Sequence, residues 1–409
     1  MKTKTILLFL WLITGNLSAQ RGFYIPRQLH SVDIPFDFEN NFIILHFIVD
    51  GKLPLSFILD TGAGHSLITR QEVALVLGHR YEREFQVYGA DLSKPLLAYL
   101  IRNVKLEVPD KLTASAEDML VLDQDVFQFE QYVGIPIHGV LSANIFARYL
   151  FKINYDRQVI TLYEREFFDS KKLKGYQSFP IEVRRDKPYI TLPVQLSNDV
   201  TIPTKLLLDT GASLALMLFE QTHPAILPPS NAIRSSVGAG LGGDIEAVIG
   251  RIPTIYWGEW QQQEVISFFQ QTDSLEDREI SNYRNGLIGN ELLSRYHLIF
   301  DYYAEQLWVK PARKYKHKFV FDRSGITVIA TGTTSRTFLV QYVLPDSPAA
   351  LAGVQRGDRV LRVNRNNVLF MSLSGIHRKL QGKPGKKVTL RLERNGEKIT
   401  TSFVLKDML

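Results

Sequence analysis

Two acids, Asp60 and Asp209, head the same tetrapeptide at two places in a 409-residue chain: Asp60-Thr61-Gly62-Ala63 and Asp209-Thr210-Gly211-Ala212. Each follows an apolar run, Phe57-Ile58-Leu59 or Leu206-Leu207-Leu208, which reads as a buried strand delivering its carboxylate into a turn. A carboxylate at such a strand end needs donors, and the glycine lets backbone N–H groups come close. The threonine between them can hydrogen-bond backbone across a twofold and lock the two turns together. If the repeat axis passes between the turns, the acids meet. Two like charges so close share one proton, which sets up acid–base chemistry: the ionised acid takes a proton from a water, the water attacks a peptide carbonyl, and the protonated acid polarises the carbonyl oxygen. Gly62 and Gly211 supply the tight turns, with Ala63 and Ala212 behind them. Ser213 can donate to Asp209 where Gly64 at the matching place cannot, so the two halves of the pair are expected to be unequal. Such chemistry needs no metal and no cofactor, and none is expected.

The acids belong to a longer internal repeat. Gly139-Val140-Leu141-Ser142-Ala143-Asn144 returns as Gly286-Leu287-Ile288-Gly289-Asn290-Glu291. Each copy then runs into a strand, turn and strand: residues 151–156 to 159–163, and 298–302 to 306–309. Two copies of this size make two lobes rather than a solenoid. Within each lobe, short runs rich in Val, Ile, Phe and Tyr broken by Gly, Pro, Asn and Asp predict strands. The main helix expected in each lobe covers residues 143–150 and 290–296.

The paired Asp-Thr-Gly-Ala turns, with the apolar-apolar-Gly element Leu287-Ile288-Gly289 downstream in lobe two, resemble the retropepsin-like aspartic proteases, with two lobes in one chain as in pepsins. The resemblance spans residues 30–312. It implies that Asp60 and Asp209 are the catalytic pair of an endopeptidase acting on peptide or unfolded protein. It also implies a β-hairpin flap in each lobe, with Tyr88 and Gly89 at one tip and Gly238 and Gly240 at the other. Lobe one departs from the pattern with Ser142 where glycine is expected. The competing expectation is a catalytically silent peptide-binding protein on the same scaffold; loss of one Asp would favour it, and neither is lost.

Other chemistry is poorly supported. The run from Gly238 to Gly243 satisfies G-x-G-x-x-G, but a strand and turn follow it rather than the helix a dinucleotide site requires. His65 and Ser66 lie beside Asp60, yet neighbours on one turn do not form a Ser-His-Asp triad, and no nucleophile elbow exists. No H-E-x-x-H occurs, and the absence of cysteine removes thiolate nucleophiles, disulfides and Cys-type metal sites. Lys plus Arg is 48 against 42 acids, a net +6 spread along the chain, so nucleic acid is not an expected partner.

The ends of the chain read differently. Residues 1–19 carry Lys2 and Lys4, an apolar run too short to span a bilayer, and Leu17-Ser18-Ala19, the pattern of a cleaved signal peptide. Export to a bacterial-type periplasm or medium is expected, with no membrane span after removal. Beyond a basic connector, residues 310–318, read as a solvated linker, the pattern changes. Ser347-Pro348-Ala349 caps a short helix ending at Gly353, Gly357-Asp358 turns into a strand, residues 373–380 read as a second helix, and Asn395-Gly396 as a hairpin turn. This stretch resembles a bacterial-type PDZ domain over residues 319–406. The resemblance implies a peptide ligand added as a strand, its carboxylate held by backbone N–H groups, in a groove formed by Gly325, Ile326, Thr327 and Val328 against the second helix. The expected architecture is therefore mostly β: two pseudo-twofold-related retropepsin-like β-barrel lobes, 30–165 and 175–312, plus a small α+β PDZ-like domain. A monomer suffices, because both acids lie in one chain.

Overall fold

The computed structural model describes residues 22–26, 28–88, 95–109, 111–240, 243–271, 283–332 and 336–409. The signal-peptide expectation at 1–19 and the flap residue Gly89 lie outside these residues. Among the described residues no helix is long and apolar enough to cross a membrane.

The chain is mostly β, and the repeat seen in the sequence is a repeat of topology. In lobe one, six strands close on themselves in the order Leu112–Leu122, Leu67–Ile68, Gly139–Ser142, Leu53–Asp60, Phe42–Val49, Pro95–Val108 and back to the first. Lobe two closes identically through Trp260–Gln270, Leu216–Phe219, Gly286–Ile288, Val200–Leu208, Lys187–Ser197 and Gly243–Trp257. Closure removes the free edges that strands would otherwise expose. In both barrels the strand ending at the acid runs parallel to the short apolar strand of the downstream repeat element: Ser142 lies opposite Asp60, and Ile288 opposite Leu208. In each lobe a parallel pair thus pins the end of the acid-bearing strand.

A third sheet joins the lobes. Its order is Ser31–Pro35, Val159–Tyr163, Leu150–Asn154, Tyr296–Asp301, Gln306–Pro311, Gln177–Pro180, with the two central strands drawn from different lobes. Phe151 pairs with Phe300 across that seam, and their rings stack 4.9 Å apart. The lobes share one continuous core that includes Phe151, Phe300, Trp257 and Tyr296.

Two expectations are corrected. The helices at 143–150 and 290–296 shrink to a 3₁₀ turn, Ala143–Phe146, and a one-turn helix, Asn290–Leu293. Apolar spacing after each start imitates a helix, but Leu150 and Tyr296 must enter the joining sheet, and sheet pairing overrides local propensity. The longer helix of lobe one is instead Gln71–Leu77, closed by Gly78 at φ 84° in the left-handed region. The basic connector is largely solvated, as expected, but is tied to the lobes rather than a free linker. Lys310 and Pro311 finish a strand, Tyr315 packs on Tyr296, Arg313 bonds Asp156, and Phe319 is 3% exposed beneath the Arg295 guanidinium. Aromatic residues among the cations bury the charged stems and leave the heads near the surface.

The C-terminal module has its own core, centred on Val328, Val340, Ile376 and Leu390. Its sheet runs Ile326–Thr331, Thr337–Val343, Arg359–Val363, Lys387–Arg394, Glu397–Val404. Ser347 caps the Pro348–Leu351 helix through Ala350 N, and the Leu373–Leu380 helix matches its expected span.

Candidate active site

Strand pairing delivers both acids to one place. Asp60 accepts from Gly62 N at 2.6 Å and Ala63 N at 2.9 Å; Asp209 accepts from Gly211 N at 2.8 Å and Ala212 N at 3.1 Å. The turns interlock through the threonines. Thr61 N donates to Thr210 Oγ1 and Thr210 N to Thr61 Oγ1, at 3.0 and 2.9 Å. Each hydroxyl then donates to a carbonyl of the opposite strand, Thr61 to Leu208 and Thr210 to Leu59. Four hydrogen bonds between buried groups, each worth about 1 kcal/mol net, fix one turn against the other.

The glycines are where the acids touch the opposite lobe. A Cβ on Gly211 would stand 2.4 Å from the Asp60 carboxyl carbon, and one on Gly62 would stand 2.9 Å from that of Asp209. Only a residue without a side chain lets each carboxylate rest on the other turn, which is what places the two acids side by side. Their exposures are 1% for Asp60 and 8% for Asp209, and Asp60 Oδ2 is buried with no protein donor. Burial first, and then the Asp209 charge, raises Asp60 far above the ordinary carboxylate range. Burial also raises Asp209, and the pair titrates as a unit.

Sequence reasoning missed two cations near this pair. Lys187, half-buried at the start of its strand, reaches within 3.8 Å of where a Gly64 Cβ would sit, and its charge opposes the rise of both acids. Arg284 is the strongest charge acting on Asp209, and its Nε is buried without a partner. Their only sequence signal is position: Lys187 follows the Arg185-Asp186 turn, and Arg284 lies two residues before the Gly286 element.

Around the turns the halves diverge. Ser142, the departure noted in the sequence, donates through Oγ to Ala63 O at 2.7 Å. In lobe two a side chain at Gly289 would stand 2.3 Å from Leu214 O, so glycine is required there. Asn290 ties Thr210 O to the Tyr155 hydroxyl at 2.6 and 2.7 Å. Lobe one has Ala143 in the place of Asn290, and the hydroxyl of Tyr302, counterpart of Tyr155, is buried without a partner. Ser213 O accepts from Asn41 Nδ2 at 3.0 Å, so a lobe-one turn holds the end of the lobe-two loop.

Both flap expectations fall on antiparallel hairpins, Glu84–Tyr88 with Pro95–Val108 and Ile233–Gly240 with Gly243–Trp257. Tyr88 ends a strand, and Gly238 and Gly240 lie in the last residues before the second hairpin's tip. His65 is not brought into a triad; Ser66 Oγ accepts from Ser142 N. Gly325, Ile326, Thr327 and Val328 open the module's edge strand beside the Leu373–Leu380 helix, Gly325 just before the strand and the other three inside it.

Residues 339–394 match the PDZ domain family. No curated protein sequence matches the chain. Among solved structures, the crystal structure of basic 7S globulin from soybean is similar with a TM-score of 0.44 and 9% identity, over 72% of this chain and 100% of that one.

Proposed function

We propose that the chain is an exported aspartic endopeptidase in which Asp60 and Asp209 share one proton and activate a water, with a PDZ domain that binds peptide. The observation that carries the reading is the mutual seating of the carboxylates, each against the glycine of the opposite turn. With one proton between them, the ionised acid accepts a proton from water as its oxygen attacks the peptide carbonyl. The protonated acid donates to the carbonyl oxygen, and on collapse a proton passes to the leaving nitrogen. The Gly62, Ala63, Gly211 and Ala212 amides hold one oxygen of each acid still, and the other oxygen of Asp60 has no protein donor. The flap hairpins are read as covering the substrate. Export follows from residues 1–19, and a monomer from both acids lying in one chain.

Binding without cleavage on the same scaffold is the second reading; the cations Lys187 and Arg284 oppose the rise that burial imposes on Asp209, without cancelling it. Incubating purified protein with denatured casein from about pH 3 to 9, with and without a pepstatin-type inhibitor, separates the two. The endopeptidase reading expects inhibitor-sensitive cleavage that disappears in Asp60→Asn. Cleavage that survives unchanged in both Asp60→Asn and Asp209→Asn removes the pair from the chemistry.

A further inference from the structure

The groove of the PDZ domain is already filled, and by lobe one. The Leu373–Leu380 helix meets the C-terminal end of the Phe129–Val133 helix so closely that a Cβ on Gly134 would stand 2.7 Å from the Leu373 Cβ. Phe129–Val133 also packs along Ile326–Thr331, the edge strand to which a peptide would add. Ser374 Oγ donates to Glu39 Oε2 at 2.6 Å. His377 spans the gap, with Nε2 3.0 Å from Val328 O and Nδ1 3.3 Å from Asn40 Oδ1.

The amides that would hold a peptide carboxylate are taken too. Ser324 N, Gly325 N and Ile326 N all converge on Asp322 Oδ1, at 2.9, 2.5 and 3.3 Å, and the Ser324 hydroxyl joins them. A carboxylate of the same chain thus sits where the ligand's was expected.

The contact reaches the acid pair in two short steps. Asn40 Nδ2 donates to Tyr132 O and Val133 O at the C-terminal end of the helix. Its neighbour Asn41 holds Ser213 O at the end of the Asp209 turn. Asn40 and Asn41 both adopt left-handed backbone, φ 46° and 65°, as a tight hairpin turn demands. Phe129 and Val133 belong to an apolar cluster that includes Ile58 and has Ala63, Phe85 and Val87 packed on it, which is the floor of the first flap.

We propose that lobe one is the resident partner of the PDZ groove, so that any peptide entering the groove must displace the Asn40–Asn41 turn and residues 129–134. Peptide binding and docking then exclude each other, and by linkage whatever loosens docking strengthens peptide binding by the same factor. The proposal rests on the peptide-binding reading of the PDZ domain and is independent of cleavage.

The test uses the full chain in an Asp60→Asn background, so that no probe is cut. The absence of native cysteine allows one clean lock, Glu39→Cys with Ser374→Cys, across the observed hydrogen bond. A second variant, Glu39→Ala with Asn40→Gly, removes the lobe-one hydrogen bonds to Ser374 and His377 and leaves the residues of the groove unaltered. The probe is a displayed library of random peptides with free C-termini, panned against each form. Amide protection of Lys387–Arg394 and Glu397–Val404 verifies that the module stays folded. The expected result is at least about tenfold more capture by the undocked variant than by the unlocked parent, and none by the oxidised lock until it is reduced. Equal capture by all forms, capture by none, or failure of the lock to oxidise overturns the proposal.

Discussion

The two lobes agree where the acids are held and differ in what surrounds them. Both turns use the same two amides for the acid, the same threonine exchange and the same parallel strand behind it. Beyond that the symmetry fails: Ser142 and Ala143 against Gly289 and Asn290, Gly64 against Ser213, and the Asn40–Asn41 turn against Arg185-Asp186. Lobe one carries the PDZ contact, while lobe two contributes Lys187 and Arg284. The shared part brings two carboxylates together. The unshared part makes them chemically distinct, one nearly sealed with an unbonded oxygen, the other slightly more open and beside a guanidinium.

The largest effect should come from the shared part. Asp60→Asn and Asp209→Asn are each expected to lower casein cleavage by about a thousandfold or more, the scale of losing a general acid or base. A large loss in only one of them would break the symmetry at its centre. Next come the glycines. Gly211→Ala places a methyl deeper into the opposing carboxylate than Gly62→Ala does, so Gly211→Ala should cost more, in the range of about 1–3 kcal/mol for overpacking, read as Tm alongside activity. A reversed order would mean that the lobe-one turn is the stiffer.

Asn290→Ala tests the unshared part. It leaves Thr210 O and the Tyr155 hydroxyl without their partner in a buried site, which should cost about 1–3 kcal/mol by denaturant unfolding. A neutral result would show that lobe two can do without the link, as lobe one does.

The pH dependence sharpens the comparison further. Burial raises Asp60 from 3.8 to about 8, so the folded chain holds a proton that the unfolded chain releases between those values. Stability from this group is therefore present in acid and lost as pH rises through that window. Asp60→Asn cannot lose it, so its Tm advantage over the parent should widen from about pH 4 to pH 8; a constant difference would show that Asp60 titrates normally. The smallest expected effect is that of Lys187→Met. Removing a cation that lowers both acids raises them further, so the alkaline limb of the cleavage profile should move to higher pH. Movement toward lower pH would place Lys187 elsewhere in solution.

Much of this was legible in the chain because repetition and strand chemistry are local. The spacing of the Asp-Thr-Gly-Ala elements, their apolar lead-ins and the downstream Gly139 and Gly286 runs needed no coordinates. The Asn395-Gly396 turn and the Ser347 cap were equally local. Gln71–Leu77 carries a local signal too, a run of helix formers stopped by Gly78. What could not be read was long-range. Nothing in the neighbourhood of Lys187 or Arg284 announces that a carboxylate from another turn lies nearby. Nor does residue 129 announce a module that begins almost two hundred residues later. The short turns at Ala143 and Asn290 look helical until one knows which sheet claims the next residue.

That joining sheet sets a limit on how the molecule can be divided. A gene cut between the lobes would leave Leu150–Asn154 with its outer backbone groups unsatisfied, since the strand that covers them, Tyr296–Asp301, comes from the missing half. The simplest repair is the same strand of another molecule, turned about the axis that Phe151 and Phe300 now straddle. A severed first half would thus be sticky toward itself, and its self-association would restore two copies of Asp60 facing each other.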